Sequence, residues 1–264
     1  MRAPILLSIL LLPLLALVSG CRSFPDPPPG WEGEFSAEHA LELALGLTED
    51  GEEEKEPRPA PPELVDLMAS ISVVRHDSEP PARMSSIILW KKPGLWSVEQ
   101  DGPGKETVKF VCDGSRAAEI REGKVVRRGV RSGEVGVDLL LRHLFLLNYF
   151  LEGPGGRAWI DETIRNEDGG YYLRIAKDDE VGHRWVLSLD AESLEPVALR
   201  EWFSSSDGRF RPLDTRFFDL TRDSRGNLIP RKMLSYVNGT LFQEMQIRDL
   251  AWNRGLKPID FQVP

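Results

Sequence analysis

Six side chains stand out as candidates for nucleophilic or metal chemistry: His39, His76, His143, His183, Cys21 and Cys112. The histidines are scattered, and none stands at the i, i+4 spacing that would set two imidazoles on one face of a helix for zinc. No Gly-x-Ser-x-Gly elbow, P-loop or Gly-x-Gly-x-x-Gly turn occurs. A catalytic set, a metal site and a bound cofactor are therefore not expected, and the chain reads as no enzyme. His143 sits near the edge of an apolar helix pattern. It reads as a core or rim histidine more readily than as a headgroup contact. Cys112 falls on the strand face of Val108 and Phe110, as a small hydrophobe would.

Cys21 has a different setting. It ends the run Ile5–Val18, apolar apart from Ser8, with Arg2 ahead and the small residues Ser19 and Gly20 just before it. A bilayer span needs about 20 apolar residues, whereas a shorter apolar core behind a basic n-region is the pattern of a signal peptide. Val18-Ser19-Gly20-Cys21 resembles the bacterial lipobox. There the chain is cut before the cysteine and its thiol is acylated, typically with palmitate-like chains. The residue after Cys21 is Arg22 rather than the aspartate associated with inner-membrane retention. Resemblance thus implies a lipid anchor in the outer membrane, facing the periplasm. An anchored Cys21 leaves Cys112 without an intramolecular disulfide partner.

Loss of residues 1–20, whose one charged side chain is Arg2, leaves 32 cationic against 42 acidic side chains, a net charge of −10. That balance does not suit nucleic acid. It also gains nothing from anionic lipid headgroups. With 41% hydrophobic and 28% charged residues the rest is of globular composition.

Three segments follow from the pattern. Residues 1–20 form the lipoprotein signal. Residues 21–61 form an anchored tether. Its "RSFPDPPPGWEGE" carries four prolines and two glycines, a short helix "SAEHALELALGL" follows with Ser36 as N-cap, and "TEDGEEEKEPRPAPP" is an acidic loop. Residues 62–264 form the body. It opens on "ELVDLMASI", where Leu64, Leu67 and Met68 at helical spacing predict an amphipathic helix. Alternating β-branched and aromatic runs then predict about eleven strands, mostly antiparallel and sequentially connected. Asn238-Gly239 marks one hairpin.

One long helix is expected inside this meander, over Val135–Gly153. Val137, Leu140, Leu144, Leu147 and Leu151 share its apolar side. Asp138, Arg142, Asn148 and Glu152 share a polar stripe, with Asp138 and Arg142 an exposed i, i+4 pair. So wide an apolar surface must be mostly buried. Arg127, Arg128 and Arg131 form a basic cluster, best read as charge guarding a sheet edge. Trp90 and Trp96 flank a Lys-Pro-Gly turn on neighbouring strands, and Trp185, Leu187 and Leu189 share one strand face.

Three stretches together resemble the LolA/LolB/LppX-like superfamily of periplasmic lipoprotein and lipid carriers. They are "ELVDLMASISVV", "SSIILWKKPGLWSVEQDGPG" with "FVCDGS", and the closing "NLIPRKMLSYVNGTLFQEMQIRDLAWNRGLKPIDFQVP". The resemblance implies an α+β, mainly antiparallel fold: an incomplete, half-open β-barrel with a helical lid over an apolar cavity. It further implies that lipid acyl chains or lipoproteins are the partners, held by Trp90, Trp96, Val98, Phe110, Val137, Leu140, Leu144, Leu147, Leu151, Trp185 and Leu187. A filled barrel that scaffolds an envelope protein partner is the alternative.

Overall fold

The computed structural model describes residues 27–29, 31, 35–47, 64–101, 106–153, 155–178, 183–204, 210–223 and 227–264. The lipobox and the acidic loop lie outside the described residues, as does most of the tether.

Alternation of apolar and polar residues drives the chain into strands, each with one face toward a shared interior. The first six are β1 (Asp66–Arg75), β2 (Ala82–Lys91), β3 (Leu95–Asp101), β4 (Thr107–Cys112), β5 (Ala117–Arg121) and β6 (Lys124–Arg128). The other seven are β7 (Trp159–Arg165), β8 (Tyr171–Asp178), β9 (Arg184–Asp190), β10 (Pro196–Ser204), β11 (Phe210–Arg222), β12 (Leu228–Val237) and β13 (Thr240–Trp252). They form one sheet in the order β6-β5-β4-β3-β2-β1-β13-β12-β11-β10-β9-β8-β7. Every ladder is antiparallel. Two meanders are joined through the β1–β13 pair, and β6 and β7 remain as free edges.

Laid flat, thirteen strands would separate these edges by about 60 Å, at roughly 4.8 Å per strand. Instead Trp96 of β3 and Trp185 of β9 belong to one apolar cluster around the same helices. The sheet is curled and open, with a concave apolar face. The segment that connects the two free edges carries the helices that cover it: a 3₁₀ turn Ser132–Val135, then α2 (Val137–Leu144) and α3 (Leu146–Glu152). α2 lies against β12, and an earlier helix, α1 (Ala37–Leu45), packs on α3 and β7. α1 starts as expected, with Ser36 Oγ accepting from the His39 backbone N–H at 3.2 Å.

Three expectations need correction. The helix expected at "ELVDLMASI" is a strand. Leu67, Ala69, Ile71 and Val73 alternate into the core, and β1 has ladder partners on both sides. Pairing of a central strand outweighs a short stretch that also fits a helical period. The long helix is two. Phe145 (φ −117°, ψ 32°) breaks it and packs its ring on Trp252, 5.5 Å away. The break lets both halves follow a curved sheet that a straight rod would leave. Among the described residues the strands number thirteen rather than about eleven. The missed edge strand β7 holds Asp161, Glu162 and Arg165, and edge charge masks alternation. "PIDFQVP" forms a 3₁₀ turn, Pro258–Phe261, whose Phe261 packs with Val111, Ala118 and Ile120 in a second, smaller cluster. Cys112 is half-buried and its thiol is free. As expected, Arg127 and Arg128 stand on an edge strand. Arg127 Nε donates to Glu119 at 3.2 Å.

Candidate functional site

Strand register builds the concave floor in rows. Trp90 is the cross-strand partner of Trp96, which in turn faces Cys112. Ile88, Val98 and Phe110 form the next row. In the other half, Ile175, Leu187 and Leu199 form a row across β8, β9 and β10. Above the floor stand Val137, Leu140 and Leu144 of α2 with Leu147 and Leu151 of α3. All eleven residues singled out for an apolar cavity fall in this one cluster, with Trp90, Phe110 and Leu151 only partly buried. Leu140 and Leu187 are both at 0% exposure, so the helices rest directly on the sheet.

Sequence reasoning missed the polar residues of this interface. Lys177 on β8 is 2% exposed. Its Nζ donates to the backbone carbonyls of Tyr149 (3.0 Å), Phe150 (3.1 Å) and Gly153 (2.7 Å). All three ammonium donors are thereby used. The site they fill is the C-terminus of α3, where terminal carbonyls run out of helical partners and a cation is favoured, although Tyr149 also accepts from the Gly153 N–H at 2.9 Å. Burial pushes the Lys177 pKa below its ordinary value. Gly153 is required at this point, since any Cβ there would overlap the Tyr149 carbonyl oxygen. The signal was available: Leu173, Ile175 and Lys177 alternate, which aims the lysine inward.

Next to it lies an ionic group that spans lid and floor. Arg142 does not pair with Asp138. Asp138 instead accepts from Ser132 Oγ at 2.7 Å. Arg142 stands 3.5 Å from Glu201 Oε2 on β10, with its guanidinium over the Trp185 ring at 4.5 Å. His143 is buried as a core histidine, edge-on to Phe217 at 5.8 Å. Its Nε2 lies 3.8 Å from Glu201 Oε1. Leu199 and Glu201 alternate on β10, so this inward carboxylate was legible too. Among the described residues, no three His, Cys, Asp or Glu side chains stand where they could hold one metal ion. The outer face differs. Tyr172, Arg174, Arg200, Asp214, Arg216 and Tyr236 line a shallow groove of about 540 Å³ there.

No family model matches the sequence, and no curated protein matches it. Solved structures do match in fold. A LolA superfamily protein from Nitrosomonas europaea superposes with a TM-score of 0.52 at 13% identity, over 87% of this chain and 99% of its own. A DUF1329 family protein from Desulfovibrio piger gives 0.54 at 11% identity, over 86% and 96%. A Vibrio parahaemolyticus domain described as a putative outer membrane lipoprotein-sorting protein gives 0.47 at 12% identity, over 77% and 92%. The chain has the fold of the LolA superfamily: a mainly antiparallel open sheet with helices across its mouth.

Proposed function

We propose that this chain is a lipid-anchored protein of the bacterial envelope that holds acyl chains of lipids or lipoproteins between its concave sheet and its helical lid. It is a carrier or receptor rather than an enzyme. The observation that carries the reading is the lid itself. The segment joining the two free edges of the sheet lies across the concave face, and the apolar residues of lid and floor make one continuous cluster. Lifting α2 and α3 would expose that cluster to a chain, which binds by burial at roughly 25 cal/mol per Å² without needing a charged anchor. The shared fold with a LolA superfamily protein supports the same reading. Cys21 would be the acylated residue, with the outer membrane as its site and the periplasm as the working space.

Every described residue lies after position 26, so the chain from residue 22 onward keeps the whole body. Purified without detergent, it is expected to show bound lipid in native mass spectrometry, or to take up a fluorescent fatty acid. Absence of both would sink the proposal. It would favour the second reading, a scaffold for an envelope partner, which the full burial of Leu140 and Leu187 also accommodates.

A further inference from the structure

The apolar interface contains one polar knot that packing does not explain. Among the described residues, five buried polar atoms without a hydrogen-bond partner gather at a single place: Arg142 Nε, His143 Nδ1 and Nε2, Trp185 Nε1 and Glu201 Oε1. His143, Trp185 and Glu201 are each under 5% exposed. A buried polar atom left without a partner costs far more than a made hydrogen bond returns. Arg142 and His143 face Glu201 as ionic neighbours at 3.5 and 3.8 Å, which fastens the lid, yet these contacts leave all five atoms without a hydrogen bond. The knot is also at a seam. Arg142 keeps a third of its side chain in solvent, at 33% exposure, and the other three lie behind it.

The five atoms without a hydrogen bond have a definite chemistry. Arg142 Nε and Trp185 Nε1 are donors only, His143 offers one donor and one acceptor, and Glu201 Oε1 is an acceptor. A matching ligand must present acceptor oxygens together with at least one O–H or N–H. A bare hydrocarbon presents neither, and a free carboxylate would meet Glu201 as a like charge. We infer that Arg142, His143, Trp185 and Glu201 form a headgroup site at the mouth of the lid, selecting acyl chains whose carbonyl oxygens stand beside a hydroxyl or amide N–H. Mono- and diacylglycerols have that chemistry, and so does the acylated amino terminus of a lipoprotein. The chain would run inward from this point over Leu187 and Leu199. The inference rests on the proposed function, since it assumes that acyl chains enter beneath the lid.

Displacement of the neutral fluorophore 1-aminoanthracene from the chain starting at residue 22 tests it. Four competitors are compared, each below its micelle concentration: hexadecane, methyl palmitate, monopalmitoylglycerol and a triacylated cysteinyl peptide. Monopalmitoylglycerol or the triacylated peptide should compete about tenfold better than methyl palmitate, the worth of one or two hydrogen bonds. Whichever of the two leads identifies the source, free lipid or lipoprotein. In Arg142→Met/Glu201→Met that preference should fall within twofold while 1-aminoanthracene still binds. Glu201→Gln, which keeps the shape, should lose most of it too and guards against misfolding of the double variant. Equal competition by all palmitoyl probes, or a preference that survives both variants, overturns the headgroup site and leaves the cavity standing. No uptake of 1-aminoanthracene or of any chain removes the cavity and the headgroup site together.

Discussion

The two halves of the sheet, β1–β6 and β7–β13, bury their concave faces differently. In the second half Leu173, Ile175, Leu187, Leu189 and Leu199 are all at 0% exposure. The same half carries the inward polar residues Lys177 and Glu201. In the first half Met84, Trp90, Phe110 and Cys112 are only partly buried, and the polar residues on their face include Ser86, Gln100 and Glu119. The closed lid thus rests on the second half. It is fastened there by ionic and hydrogen-bonded contacts, while the first half offers large apolar side chains that are less covered. The fastened half holds the lid, and the less covered half leaves large apolar side chains onto which the proposed acyl chain, entering past Leu187, would run on.

The largest effect should come from the fastening. Lys177→Met removes the ammonium from three carbonyls at the end of α3, of which that of Tyr149 keeps a backbone donor, the Gly153 N–H at 2.9 Å, and hydrogen bonds to a charged group are the strong class. A loss of about 3–5 kcal/mol is expected, or roughly 10 °C in Tm. Amide exchange in α3 should rise more than in β1–β5. If Tm is unchanged, Lys177 does not hold the lid and the contrast between halves loses its cause.

Sequence pattern reached the antiparallel strands and the helical insertion, because these are written in local alternation, whereas the open, curled barrel and its apolar lining were implied by the family resemblance. The pattern misread β1, whose ten residues fit a helical and a strand period at once until the partners β2 and β13 decide. It joined α2 to α3, because nothing in "LRHLFLLNYF" marks the turn that Phe145 makes onto Trp252, more than a hundred positions away. Lys177 and Glu201 were legible as inward positions on their strands. Their partners were not, since the carbonyls of α3 and the guanidinium of Arg142 come from a separate element.

A substitution in the other half separates binding from stability. Trp90 is half-buried on β2, opposite Trp96. Trp90→Ala should cost less than about 2 kcal/mol, well below the 3–5 typical of a fully buried aromatic. It should weaken fatty-acid uptake about five- to tenfold, through the apolar area lost from the floor. Leu187→Ala, at the packed centre of the second half, should do the reverse, with about 3 kcal/mol lost in denaturant unfolding. Equal stability losses at the two positions would erase the distinction between a less covered half and a packed one.

The smallest effect concerns what holds the first half in shape where the lid does not help. The β4–β5 turn is Asp113-Gly114-Ser115, with Gly114 at φ +89°, a conformation that favours glycine. Asp113 Oδ1 accepts from the Arg116 backbone N–H at 2.8 Å, from the Ser115 hydroxyl at 2.9 Å and from the Ser115 backbone N–H at 3.1 Å. Oδ2 takes the Arg116 guanidinium at 2.8 Å. These bonds, the Arg116 backbone donor foremost and the Ser115 hydroxyl next, hold the carboxyl well below its ordinary pKa of 3.8. The folded state therefore keeps this group ionised where the unfolded chain has begun to bind a proton. Its stabilisation is complete above the ordinary pKa and is lost as pH falls through the window beneath it. Asp113→Asn should accordingly unfold at lower urea than the wild type at neutral pH, and the gap should narrow on acidification below about pH 4. A gap that stays constant down to about pH 2 would mean that turn shape alone, not the charge on Asp113, sets the register of β4 and β5.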